Sequence, residues 1–314
     1  HSLVGLRPTV PLVSRYGMMP ANPSSDTLGP MARTVKDAAI VLDVIAGYDQ
    51  NDPVTAYAAG HVPDSYAAGL IPDGLRGARI GVIREPMDPK TDPESDDYRQ
   101  VRAVVDRAIA DLQSLGAVVV DPVVVPGLDS VQQTYVGNNF ETEQAMNAYL
   151  AEHADAPIET VQDILLSGVV TPWRAKGLMN VVGKSTDDLG YLQILQARER
   201  LRRGVLTVMA NNELDALVYA TFDHQNTVIA PDALTNADTE DAYALGNNRY
   251  LSPVIGFPAL TVPAGFTTDG LPVGFEFLGR PFTEAVLFRF GYAYEQGTHR
   301  RAPPATTPAF PDHP

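Results

Sequence analysis

The stretch from Arg79 to Val125 constrains the fold more than any other. "RIGVI" at 79–83 is a short apolar run that follows a glycine-rich turn, the pattern of a buried strand. "DDYRQVRAVVDRAIADLQSLG" follows, with Val101, Val104, Val105, Ala108 and Leu112 on one side and Gly116 closing it. That spacing predicts an amphipathic helix. "AVVVDPVVV" at 117–125 then reads as a second strand. Strand, helix and strand within about 45 residues make a right-handed crossover, so the two strands run parallel.

The rest of the chain fits an α/β architecture. "TVKDAAIVLDVIAG" at 34–47 predicts a helix capped by Thr34, with Asp37 at its third position and Gly47 at its end. Val35, Ala38, Ala39, Leu42 and Ala46 share its buried face. Residues 130–212 are helical in pattern. "LDALVYA" at 214–220 reads as a buried, central strand. "ALTVPAGF", "TTDG" and "LPVGFEFLG" read as a hairpin, with Asp269 and Gly270 supplying the positive φ angles of its turn. "TEAVLFRFGYAYEQ" is a last helix capped by Thr283. The expected fold is a large, mixed, mostly parallel twisted sheet with helices on both faces. No linker interrupts it, so residues 1–314 are expected to form a single domain, with the proline-rich 300–314 as a surface tail.

Composition narrows the function classes. The net charge of −15 opposes phosphate backbones and anionic membranes, so neither nucleic acid nor membrane is an expected partner. No run of 18 uncharged apolar residues is present, and the opening residues lack a charged segment followed by an apolar one. A cytoplasmic location is the expectation. Cysteine is absent, which removes disulfides, thiolate nucleophiles and cysteine zinc sites. The histidines at 1, 61, 153, 224, 299 and 313 never fall at i and i+4, so no metal helix is read. "GLMNVVGKS" has five residues between Gly177 and Gly183 where a phosphate loop needs four, and reads as a helix-terminal loop.

Two stretches stand out for chemistry. "TFDHQNT" at 221–227 follows the strand 214–220, where ligand crevices of α/β sheets lie. His224, with Asp223 and Asn226, is there either a polar loop residue bonded to its neighbours or part of a substrate pocket. "SSDTLGPMART" at 24–34 packs hydroxyls, a carboxylate and an arginine ahead of a helix. Asp26 and Arg33 either brace this loop by a charge-assisted hydrogen bond or the loop backs an active site.

Two long blocks carry a resemblance. "VGLRPTVPLVSRYGMMPANPSSDTLGPMARTVKDAAIVLDVIAGYD" and "GFPALTVPAGFTTDGLPVGFEFLGRPFTEAVLFRFGYAYEQ" are similar to blocks of the amidase signature family, which includes peptide amidases, fatty acid amide hydrolases and the A-type subunit of the tRNA-dependent amidotransferase. Pro11 departs from the family's usual glycine, and "YATFDHQN" departs from its usual proline–threonine pair. The resemblance implies hydrolysis of a small-molecule carboxylic amide to acid plus ammonia or amine. It implies a serine–serine–lysine group, no metal or organic cofactor, and a possible homodimer. On that template the nucleophile's Gly-Gly-Ser-Ile-Arg type motif stands roughly eight residues ahead of His1, with the other two residues further upstream. Lys36, Lys90, Lys176 and Lys184 match none of the family's lysine contexts. The expectation is therefore a C-terminal two thirds that lacks the catalytic group and is inactive alone. Asp26 and Thr27 are expected as supports behind the site, and His224 and Tyr250 as pocket wall. The alternatives are an amidotransferase A-type subunit, against which "DTLGPMART" argues, and a non-catalytic binding or scaffold protein.

Overall fold

The computed structural model describes residues 1–153, 155–238 and 245–305. Among these, seven strands form one sheet: β1 Val4–Arg7, β2 Met31–Ala32, β3 Arg79–Ile83, β4 Val118–Val123, β5 Ala216–Ala220, β6 Ala259–Phe266 and β7 Pro272–Leu278. The helices are α1 Val35–Ile45, α2 Asp96–Ser114, α3 Val131–Val136, α4 Thr142–Ala151, α5 Val161–Leu166, α6 Pro172–Met179, α7 Leu189–Asn211, α8 Leu251–Ile255 and α9 Glu284–Thr298. The order across the sheet is β2-β1-β6-β7-β5-β3-β4.

The crossover stands as read: β3 and β4 are parallel, with α2 between them in the chain. β5 joins β3 in parallel as well. The sheet is mixed, yet its parallel share is smaller than expected. The hairpin β6–β7 is inserted between β1 and β5, and both of its outer neighbours run antiparallel to it. β2 adds a further antiparallel pair at the edge. A local turn can only reverse the chain, so β6 and β7 pair antiparallel, and with β1 and β5 also antiparallel to them the centre of the sheet is antiparallel.

Strand alternation sends side chains to two cores. Phe275 and Phe277 join Val104, Leu112, Phe288 and Tyr294 on the face covered by α1, α2 and α9. Leu217 and Leu278 join Leu201, Val205 and Val254 on the face covered by α3, α7 and α8. Each of these buried side chains contributes about 1.5–3 kcal/mol, more than the marginal stability of an isolated helix of this length. Met146, Val161, Leu178 and Val181 form a smaller cluster beneath α4–α6.

Local chemistry at the element ends both agrees and departs. Thr34 Oγ1 accepts from the Asp37 N–H at 3.0 Å, the expected cap of α1. In the hairpin turn Gly270 alone has a positive φ, of 78°. Thr267 N–H donates to the Leu271 carbonyl, closing a loop that needs only one such residue. Asp269 instead accepts from Gln100 and Gln225. Thr283 holds the N-cap position of α9, but its hydroxyl donates backwards to the Arg280 carbonyl at 2.7 Å rather than capping the helix. The Val10–Pro11 peptide is cis. Of the predicted tail, Arg300 is tied to Asp111 of α2 at 2.7 Å, and residues 306–314 lie outside the described residues.

Candidate functional site

On the α7–α8 face, the apolar pattern of the sheet gives way to a polar floor. Gly5, Thr261, Glu276 and Tyr219 stand side by side in register across β1, β6, β7 and β5. The Tyr219 hydroxyl donates to Glu276 Oε1 at 2.9 Å. Just past β5, Thr221 Oγ1 meets Thr261 Oγ1 at 2.8 Å. Gly274 makes this convergence possible, since a Cβ there would lie 2.8 Å from Thr221 Oγ1 and 3.1 Å from Thr261 Oγ1. Burial pushes Glu276 up to about 7, although Tyr219, Thr221, Arg249 and Arg7 all favour its carboxylate.

Arg7 ends β1 beside this floor. Its Nη2 donates to the Ser25 carbonyl, while Nη1 is buried without a partner among the described residues. Desolvation lowers its guanidinium to about 10, against the pull of Tyr135, Asp26 and Glu276. Asp26 Oδ2 accepts from the backbone N–H groups of Ala21 and Asn22 at 2.7 and 2.8 Å. It braces its loop through the main chain rather than through Arg33. Thr27 follows it, with a buried hydroxyl that has no partner among the described residues. Tyr250 stacks on Tyr135 of α3 with ring centroids 4.0 Å apart and 15° between planes. The Arg249 guanidinium lies 5.4 Å from the Phe222 ring and 5.8 Å from that of Tyr250.

His224 belongs to a different environment. It is 5% exposed, and its Nε2 accepts from the Asp92 N–H at 3.3 Å. Tyr98 lies 6.2 Å away, ring to ring. A Cβ on Gly246 would sit 2.7 Å from His224 Cδ2, so the 245–248 segment closes directly over the ring. Asp223 beside it is buried and pushed up to about 7 by desolvation, against the pull of Asn248 and Arg102. Asp223 Oδ2 and His224 Nδ1 have no partner among the described residues. Asn226 is exposed.

The structure thus gathers Asp26 and Tyr250 around Arg7 and Tyr135, with Thr27 next in the chain, and sets His224 apart against the loop before α2. Sequence reasoning passed over Arg7, Tyr135, Thr221, Thr261 and Glu276. A signal existed for one of them: in "VGFEFLG" a charge interrupts an apolar strand, and an acid at such a position must turn to a polar partner. Among the described residues no group of three His, Asp or Glu could hold a metal ion, and no helix is long and apolar enough to cross a membrane.

Comparison with known proteins places this geometry. The family profile described as Amidase matches residues 1–288. The crystal structure of native peptide amidase from Stenotrophomonas maltophilia is 34% identical, with a TM-score of 0.80 over 96% of this chain and 60% of that one. A probable amidase of Arabidopsis thaliana is 28% identical over 97% of this chain and 54% of its own length. The A-type subunit of glutamyl-tRNA(Gln) amidotransferase from Thermosynechococcus vestitus is 32% identical over 96% of this chain and 62% of its own length. The chain therefore spans between 54% and 62% of the length of these relatives. Its profile match and its shared fold make the chain a member of the amidase family.

Proposed function

We propose that these residues serve an enzyme that hydrolyses the C–N bond of carboxylic amides. The observation that carries this reading is the family match over residues 1–288, whose two motif blocks contribute β1, β6 and β7 to the polar floor. The chemistry is acyl transfer by the serine–serine–lysine group that the resemblance implies. A neutral lysine takes the nucleophile's proton through the bridging serine, and the serine oxygen attacks the amide carbonyl. Backbone N–H groups hold the oxyanion. The C–N bond breaks as the nitrogen takes up the proton, and water then cleaves the acyl-enzyme to the acid. No residue of 1–314 matches that group. In this reading the chain supplies the wall: the floor of Thr261, Thr221 and Glu276, the Tyr135–Tyr250 stack, and the Asp26 loop behind Arg7.

Release of ammonia or amine from acetamide, benzamide and a short peptide amide by the full-length protein tests the reading. Activity that disappears when the serine nucleophile is replaced supports it, and absence of turnover on all three overturns it. Residues 1–314 alone are expected to give no turnover above the blank. A second reading, an amidotransferase A-type subunit, draws on the 32% identity to the Thermosynechococcus vestitus protein. It requires stable co-purification with partner subunits, which the hydrolase does not need.

A further inference from the structure

The outer side of α7 carries a stripe with a symmetry of its own. The helix rests on the second core through Leu201, Val205, Val208 and Met209, all buried. Away from that face, Leu192, Leu195, Glu199, Arg202 and Leu206 follow one another in alternating steps of three and four. That alternation is the heptad spacing of a coiled-coil seam, and it keeps the five on one line along the helix. Leu192 is 50% exposed, and Leu195 and Leu206 are 37% and 36% exposed. The Glu199 and Arg202 side chains between them are open to solvent. Single leucines scattered on a surface are ordinary, whereas three on one heptad line form a strip that another helix can cover.

The order of these residues selects the partner. From Leu195 to Leu206 the stripe runs leucine, charge, charge, leucine in either direction, and the two charges are opposite in sign. A two-fold axis at the level of Arg200 and Leu201 therefore matches the stripe to itself with the two helices antiparallel. Leu195 meets the partner's Leu206, Glu199 meets the partner's Arg202, and each contact is made twice. A parallel pair would instead set acid against acid and base against base. We propose that this stripe joins two copies of the chain, antiparallel through α7, in a reversible dimer. Within one chain Glu199 reaches Arg202 and Arg203 only at 3.9 and 3.5 Å, so its carboxylate has room for a closer partner. Arg202 Nε donates to the Ile255 carbonyl at 2.7 Å, which fixes the guanidinium beside the seam. The seam is one helix wide, so the interface belongs with the small, reversible ones below about 1,200 Å². Its leucines supply the attraction, and its charges set the orientation.

Sedimentation of the full-length protein tests this, and a shift from monomer to dimer is expected between about 1 and about 200 μM. Glu199→Arg sets arginine against arginine at both pairs, and Arg202→Glu sets acid against acid. Each variant alone should weaken the dimer about tenfold or more. An equimolar mixture of the two sets arginine against acid at both pairs and should restore dimers at the concentration the unmodified protein needs. No effect on folding produces that recovery. Should Arg202→Glu fold poorly for want of the Ile255 bond, Leu195→Glu mixed with Leu206→Arg repeats the design and keeps one leucine pair. A full-length protein that stays monomeric at every concentration overturns the proposal. So does a dimer that both charge variants leave intact, or a pair of variants that does not recover on mixing. Turnover of amides plays no part in these outcomes, so the loss of the dimer would leave the hydrolase reading standing.

Discussion

Glu276 and Asp223 are both carboxyls raised to about 7 by burial, and they differ in everything else. Glu276 stands in the middle of a sheet, where the Tyr219 hydroxyl of β5 donates to it. Asp223 stands in a loop, and its Oδ2 has no partner among the described residues. Burial alone sets the direction of the shift in both. The partners decide whether the group is part of an ordered network or merely tolerated.

Three experiments can break or sharpen that contrast. The largest effect is expected for Glu276→Ala. It strands the buried Tyr219 hydroxyl in the sheet, so unfolding free energy should fall by about 3 kcal/mol. Asp223→Ala, which removes an acid whose Oδ2 has no partner among the described residues, should lose about 1 kcal/mol. Equal losses in denaturant melts would erase the distinction between an ordered and a tolerated acid.

A smaller and more selective effect is expected when Tyr250→Ala is set beside His224→Ala. Tyr250 joins the stack above the floor, so relative kcat/KM among amides of different acyl size should shift by about 1–3 kcal/mol. His224 is enclosed and accepts a backbone hydrogen bond. Its loss should lower stability by about 1–2 kcal/mol and leave the substrate ranking in place. A ranking that moves with His224 rather than Tyr250 would put the pocket at the loop instead of the floor.

The smallest effect is a slope. Asp223 has a folded pKa near 7 against an ordinary value of 3.8, so the folded state keeps a proton that the unfolded state releases between those values. Stability falls as pH rises through this window and levels off above it. Asp223→Asn removes the acid, so it should gain about 1 kcal/mol relative to the unmodified protein on going from pH 6 to pH 7. A difference that is flat across this range would show that Asp223 titrates normally.

What was legible in the sequence follows the distance over which each feature acts. The helix over 35–45, the crossover from Arg79 and the hairpin turn at Gly270 depend on residues a few positions apart, and all stand. The smaller parallel share was hidden because strand order depends on which distant segment enters the centre of the sheet. Arg7 could not be linked to Asp26, Tyr135 and Glu276 by any spacing, since the fold brings three separate segments to it. Thr221 and Thr261 look like ordinary strand-end threonines until Gly274 lets their oxygens meet. At His224 the sequence left two readings open. Its enclosure by Gly246 is a contact between loops that no periodicity reports.

The insertion of β6 and β7 between β1 and β5 also sets an order in time. On a ribosome adding about 5–20 residues per second, Arg7 emerges tens of seconds before Ala259. Until then β1 has only the two-residue β2 as a sheet partner, and β5 has β3 on one side and nothing on the other. The centre of the sheet is thus completed by a late-made hairpin that closes both gaps at once. A nascent chain stalled before Ala259 would hold two open strand edges, the species that chaperones bind and that aggregates form from.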